Sequence, residues 1–176
     1  EITKYPSKGK NAEGKVIEVI GNVKEAGVDM LSLIKEHNLP ARFPKEVVNE
    51  AKTKGDVINP RQIKNRVDLR KEEIFTIDGE DAKDLDDAIS VQKLENGNYV
   101  LNVHIADVSH YVTQNSLLDK EAYLRGTSIY MLGRVIPMLP RELSNGLCSL
   151  NAGQDRFTLS CTMEINSKGD VIDSKV

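Results

Sequence analysis

The chain has 176 residues, 39% of them hydrophobic and 29% charged, with a formal net charge of −3. That leaves room for one domain or one and a fraction, in an ordinary soluble composition with no apolar run of membrane-spanning length. The balance is not that of a strongly basic nucleic-acid binder, and Cys148 and Cys161 show neither a pairing pattern nor metal-ligand spacing, which points to reduced thiols in the cytosol. The sequence opens on Glu1 with no initiator Met, basic leader or signal-like apolar core, so it reads as a piece of a longer chain or a cleavage product.

In chain order, residues 1–20 predict two short strands. Lys15–Ile20 alternates polar and apolar, and the Lys-, Gly- and Asn-rich stretch from Pro6 to Gly14 is a loop. Residues 23–55 read as helical. Val28, Leu31, Leu33 and Ile34 give an apolar face, Asn38 and Pro40 a stop, and a second helix starts near Pro44 and closes at Gly55. His37, at a helix C-terminus, is not read as a ligand. Residues 61–71 then gather Arg61, Lys64, Arg66, Arg70 and Lys71 against Asp68 alone. Such a run is either a solvated face or a basic approach to a phosphodiester site.

The stretch Asp78–Asp87 follows, with six carboxylates against one amine, Lys83. Strand-like segments flank it, Ile74–Ile77 before and Ala88–Leu94 after. Like charges held this close raise one another's pKa unless a cation sits among them. A hard divalent ion suits oxygen donors; a solvated acidic loop is the plainer reading. In an extended chain Asp84 and Asp86 share a side and Asp87 faces the other, so a bend near Asp86 is needed to gather Asp78, Asp84, Asp86 and Asp87. An EF-hand loop is excluded. Counting from Asp84, the sixth position is Ile89 where the turn needs Gly, although Glu95 stands at the twelfth.

Beyond the loop the pattern is sheet. Ala88–Leu94 and Tyr99–Asp107 flank Glu95-Asn96-Gly97-Asn98, a hairpin-turn signal. His104, alternating with Val103 and Ile105, reads as a structural histidine; His110 and Tyr111 are open to either role. Ser116 caps a helix with Asp119 at its third position, and Gly126 ends it after Arg125. Thr127–Met131 is strand-like, Pro140–Asn145 suits one helical turn, and Phe157–Ile165 and Val171–Val176 are strands joined at Ser167–Asp170.

Three ordered blocks carry a resemblance. They are Ile77-Asp78-Gly79-Glu80-Asp81-Ala82-Lys83-Asp84-Leu85-Asp86-Asp87-Ala88, then His104-Ile105-Ala106-Asp107-Val108-Ser109-His110-Tyr111-Val112. The third is Arg125-Gly126-Thr127-Ser128-Ile129-Tyr130, running on to Pro137-Met138-Leu139-Pro140 and Leu143-Ser144-Asn145-Gly146-Leu147-Cys148-Ser149-Leu150. Together they resemble the ribonuclease II / ribonuclease R family of 3′→5′ exoribonucleases, with ribonuclease R the better fit.

The resemblance implies an α+β fold with a mixed, largely antiparallel sheet and outer helices. It implies residues 1–22 as the last strands of a cold-shock-type OB domain, 23–65 as a helical linker, and 66–176 as the N-terminal part of a catalytic domain continuing past Val176. The implied function is a processive, metal-dependent 3′→5′ exoribonuclease of the cytoplasm, releasing nucleoside 5′-monophosphates from RNA, with no membrane involved and no obligate protein partner to be inferred. Asp78, Asp84, Asp86 and Asp87 are by resemblance the catalytic quartet that binds magnesium or manganese. Tyr130 matches the tyrosine that stacks on the 3′-terminal nucleotide. The alternative is a non-catalytic fragment that binds metal or RNA, because the arginine and glutamate that complete the family's site lie beyond this sequence.

Overall fold

The computed structural model describes residues 1–55 and 58–176. They fall into two units, Glu1–Arg42 and Phe43–Val176. Positions 56 and 57, inside the expected 23–65 linker, lie outside the described residues.

In the first unit β1 (Ile2–Lys4) pairs antiparallel with β2 (Glu13–Gly14). The strand expected over Lys15–Ile20 does not form. Alternation makes a strand only where a neighbour supplies the ladder of hydrogen bonds, and among the described residues that ladder stops at Lys15, which exchanges backbone bonds of 2.8 and 3.0 Å with Glu1. α1 (Val28–Glu36) buries Val28 and Ile34. Asn38 takes the left-handed conformation (φ +50°) just past its end, as Asn readily does.

The second unit begins with α2 (Lys45–Thr53), which follows Pro44 and buries Val47 and Ala51. A short α3 (Pro60–Ile63) is capped by Asn59, whose side chain accepts from the Arg61 amide while Gln62 reaches back to the Asn59 amide. β3 (Asp87–Lys93) and β4 (Tyr99–Ala106) form a hairpin in register Asp87↔Ile105 to Lys93↔Tyr99. Gly97 (φ +86°) makes the turn that the Asn-Gly pair predicts. Asp107 caps the short α4 (Val108–Tyr111), and Ser116 caps α5 (Leu117–Arg125), which stops at Gly126 (φ +72°).

A small hairpin follows, β5 (Ile129–Met131) against β6 (Arg134–Ile136). The helical turn expected over Pro140–Asn145 forms, the Ser144 amide bonding the Pro140 carbonyl at 3.0 Å, and it runs on into a π-helical segment, Leu143–Leu147, in which the Cys148 amide reaches five residues back to Leu143. β7 (Thr158–Ile165) and β8 (Val171–Lys175) complete a four-stranded antiparallel sheet of order β3-β4-β7-β8. Helices and an antiparallel sheet in one chain are the α+β class expected. No helix among the described residues is long and apolar enough to cross a membrane.

The core fills the space between α2, α4, α5, the π-helical segment and the end of β4, with Leu118 and Leu143 fully enclosed. The sheet itself is asymmetric. Register places Ile89, Val91, Leu101, Val103, Ile105, Leu159 and Met163 on one face. That face is apolar yet half open, with Val91 55%, Ile105 46% and Leu159 63% exposed. The opposite face carries Ala88, Ser90, His104 and Ala106, all buried. His104 is satisfied there by Ser160 (Nδ1 to Oγ, 2.8 Å) and Ser90 (Nε2 to Oγ, 3.5 Å), and burial lowers its pKa. It is the structural histidine predicted.

Glu50 joins α2 to α5. Its Oε2 accepts from the Leu117 and Leu118 amides at 2.9 and 3.2 Å, two of the donors a helix N-terminus leaves free. Asp119 and the Ser116 hydroxyl serve the same turn. Replacing Glu50 by Ala is expected to cost about 1–2 kcal/mol, the range of a lost N-terminal cap. Urea titration followed by circular dichroism measures it, and Glu50→Gln should recover part of the loss.

Candidate functional site

The acidic stretch is an excursion from the sheet closed by backbone bonds at its base. Phe75 and Ile89 exchange two amide–carbonyl bonds of 3.0 and 2.9 Å. This isolated bridge is all that forms of the strand expected over Ile74–Ile77, which has no longer ladder beside it. Within the loop the Ala82 amide bonds the Gly79 carbonyl and makes a turn that carries Glu80 and Asp81 out to solvent. From there the chain is fastened repeatedly. Ser149 Oγ donates to the Lys83 carbonyl at 3.0 Å and accepts from the Leu85 amide at 3.1 Å. The Leu150 amide bonds the Leu85 carbonyl at 2.8 Å, and the Ala106 amide bonds the Asp86 carbonyl at 2.9 Å. Asp87 then enters β3 opposite Ile105.

Asp84, Asp86 and Asp87 therefore sit on restrained backbone, with Asp78 on the exposed approach to the turn. Asp84 is half-buried; Asp78, Asp86 and Asp87 are exposed. The pKa of Asp86 is raised, first by partial desolvation and then by the charges of Asp84, Asp87 and Asp78. Asp86 still meets solvent by area, but the surrounding protein is dense enough to disfavour its charged form. The repulsion foreseen in the sequence thus converges on one residue. Among the described residues, however, no three His, Cys, Asp or Glu side chains stand in a metal-ligating arrangement. The donor chemistry suits a hard divalent ion, while the carboxylates are not gathered into a closed ligand set.

Tyr130 is brought to this site from β5. Its hydroxyl donates to Asp84 Oδ2 at 2.5 Å, which pushes its pKa up to about 12 and keeps the phenol protonated. The residue is 66% exposed, so the ring is open to solvent beside the carboxylates. Cys148 lies beneath, buried, its thiol pushed up to about 12 by burial and by Asp86. A thiol so placed is inert.

The basic run is less available than the sequence suggests. Arg66 bonds Asp107 Oδ2 at 2.6 Å and stacks 4.4 Å over the Phe157 ring. Burial alone would raise the pKa of Asp107, but the bonds from Arg66 and Ser109 outweigh it and the net shift is downward. Arg70 is held by Asp68 at 2.7 Å and by Asp155 at 3.4 Å. Its hydrogen bonds keep the Asp68 carboxyl well below the usual range. Among the described residues Arg61, Lys64 and Lys71 form no ion pair. His110 packs on Phe157 at 4.4 Å and meets Gln62 at 3.0 Å. Sequence reasoning quoted Ser149 without giving it a role, since its partners at Lys83 and Leu85 are 66 and 64 residues away.

An antiparallel sheet that presents a restrained, carboxylate-rich loop beside an exposed tyrosine defines an α+β domain with an acidic surface site. The RNB domain model matches residues 66–176, and the cold shock domain model matches residues 1–44. Over 98% of its length the chain is 55% identical to ribonuclease R of Thermotoga maritima, of which it covers 24%. Over its whole length it is 53% identical to ribonuclease R 1 of Lactococcus lactis, of which it covers 22%. A solved structure of Mycoplasma genitalium RNase R in complex with double-stranded RNA superposes with a TM-score of 0.89 at 34% identity, covering 99% of this chain and 31% of that one. The chain belongs to the RNB family, as the three sequence blocks imply, and it spans about a quarter of the length of the curated relatives it matches.

The raised pKa of Asp86 has a thermodynamic consequence. A carboxyl whose pKa is higher folded than unfolded favours the folded state only when protonated, and that contribution is lost as pH rises through the folded value. In EDTA, Asp86→Asn should therefore raise the melting temperature at pH 7. The gain should shrink as pH falls towards the ordinary carboxylate range and the wild-type group itself takes up a proton. Differential scanning fluorimetry across pH measures both.

Proposed function

We propose that this chain carries the acidic part of the active site of a 3′→5′ exoribonuclease that acts on RNA processively and releases nucleoside 5′-monophosphates. The observation that carries the reading is the convergence of Asp78, Asp84 and Asp87 on Asp86, with the open ring of Tyr130 hydrogen-bonded to the same loop. Identity of 55% to a ribonuclease R supports it. In this reading Asp78, Asp84, Asp86 and Asp87 would hold magnesium or manganese, which when bound supplies Lewis-acid activation of water and stabilisation of the leaving oxygen. The chain's own residues do the positioning. Asp84 and Asp86 stand on backbone pinned to Ser149, Leu150 and Ala106, and Tyr130 offers a face on which the 3′-terminal base stacks. Stacking of this kind is worth about 1–3 kcal/mol per base and tolerates any sequence, as stepwise degradation requires. The unpaired cysteines suit a cytoplasmic setting.

A second reading has an observation of its own. Because no ligand set is assembled among the described residues, these 176 residues alone bind metal or RNA weakly, and turnover belongs to a longer polypeptide.

Two substitutions in the full-length protein test the assignment. Asp86→Asn keeps shape but removes one negative charge from the carboxylates that would hold the ion, so turnover of a labelled RNA should fall by at least about 1,000-fold. RNA affinity by filter binding should stay within about twofold; equal loss of both would place Asp86 in binding or folding. Tyr130→Ala should alter the length of the limit product on an oligo(A) ladder more than it slows each cleavage, because stacking is lost while the carboxylates are untouched. An unchanged limit product would return Tyr130 to a structural role.

A further inference from the structure

Ser149 is fully buried, and its hydroxyl grips both peptide groups that flank Asp84, the Lys83 carbonyl at 3.0 Å and the Leu85 amide at 3.1 Å. No other side chain bonds the backbone on both sides of a quartet aspartate among the described residues. The grip is itself supported. Arg156 Nε donates to the Ser149 carbonyl at 2.9 Å and to the Gly146 carbonyl at 3.2 Å, which ties the end of the π-helical segment to the approach to β7. The Leu150 amide, next to it, bonds the Leu85 carbonyl and adds a second tie between the acidic loop and the residues that follow the π-helical segment. A loop of like charges drifts apart unless its backbone is fastened, and here the fastening centres on one hydroxyl.

On the reading that the loop is the acidic part of a nuclease site, we infer that Ser149 is a positioning residue for the reaction. It touches neither substrate nor ion. It sets where Asp84 and Asp86 present their carboxylates, and through Asp84 where the Tyr130 hydroxyl is anchored. Groups that orient the ligands of a site affect metal affinity and activity by about 10- to 100-fold when removed. The expected signature is therefore a loss in kcat and in manganese affinity, with RNA binding spared.

The experiment uses the full-length protein with Ser149→Ala and Ser149→Cys, the latter keeping the volume but only a weak donor and acceptor. Ser160→Ala serves as the control, since it breaks the 2.8 Å bond to buried His104 away from the acidic loop. Manganese binding is read by electron paramagnetic resonance, RNA binding by filter assay and turnover on labelled RNA. The positioning role predicts kcat and manganese affinity about 10- to 100-fold lower in Ser149→Ala, an intermediate loss in Ser149→Cys, RNA affinity within about twofold, and Ser160→Ala unchanged in all three. If Ser149→Ala does not fold, Ser149→Cys alone decides. Wild-type kcat and manganese affinity in a folded Ser149 variant, or equal losses in Ser160→Ala, would overturn the role. Asp86→Asn run beside them separates the two levels. Normal turnover in Asp86→Asn sinks the nuclease reading itself, whereas an inactive Asp86→Asn with wild-type Ser149 variants sinks only the positioning role.

Discussion

Electrostatic repulsion inside the acidic loop is the constraint to which the second unit is built. Carboxylates that crowd Asp86 push each other towards solvent, and each would gain by moving apart. What opposes this is neutral: backbone bonds at Phe75–Ile89, Ala106–Asp86 and Leu150–Leu85, and the Ser149 hydroxyl between Lys83 and Leu85. These bonds are sheltered by the core and are not screened by salt as a surface ion pair is. The carboxylates stay at the surface while the Lys83 and Asp86 carbonyls and both peptide groups of Leu85 are taken up by bonds, so the part of the loop that carries Asp84 and Asp86 is held by its backbone.

Two arginines of the second unit are spent on architecture. Arg125 lies almost wholly buried between Glu121 and the Phe43 ring, and also bonds the Pro137 carbonyl, which fixes the end of α5 to the chain leaving β6. Arg66 does the same between Asp107 and Phe157. Buried or half-buried guanidinium groups satisfied on several sides hold loops in register, and losing one partner leaves a charge uncompensated. The acidic loop is thereby left without a neutralising arginine among the described residues, and its negative potential is available to a ligand.

What could be read from the sequence was local. Ser116, Asp119 and Gly126 state both ends of α5, and Asn96-Gly97 states the β3–β4 turn, because caps and turns depend on a few adjacent residues. His104 could be placed for a similar reason, since alternation on β4 puts it between apolar neighbours. The failures share a cause in distance. Lys15–Ile20 alternates as a strand, but among the described residues its pairing ends at Lys15, opposite Glu1. Arg66, read within a basic run, is held by Asp107, far along the chain, whereas the main partner of Arg70 is the neighbouring Asp68. The π-helical segment has apolar spacing close to that of an α-turn, and nothing local distinguishes the two. Within the candidate site the aspartates and Tyr130 were legible as residue types in a recognisable order. Their present spacing, short of a ligand set, was not.

The sequence distance between Leu85 and Ser149 carries a consequence for biosynthesis. A nascent polypeptide that has extruded the acidic loop must emit some sixty-four further residues before the serine that clasps it is available. Through that interval the β3–β4 hairpin can already form, since its contacts are local, but the loop above it has no clasp. The clasp is thus supplied by a part of the chain made late, and a polypeptide halted before residue 149 would carry the acidic loop without the hydroxyl that fastens it.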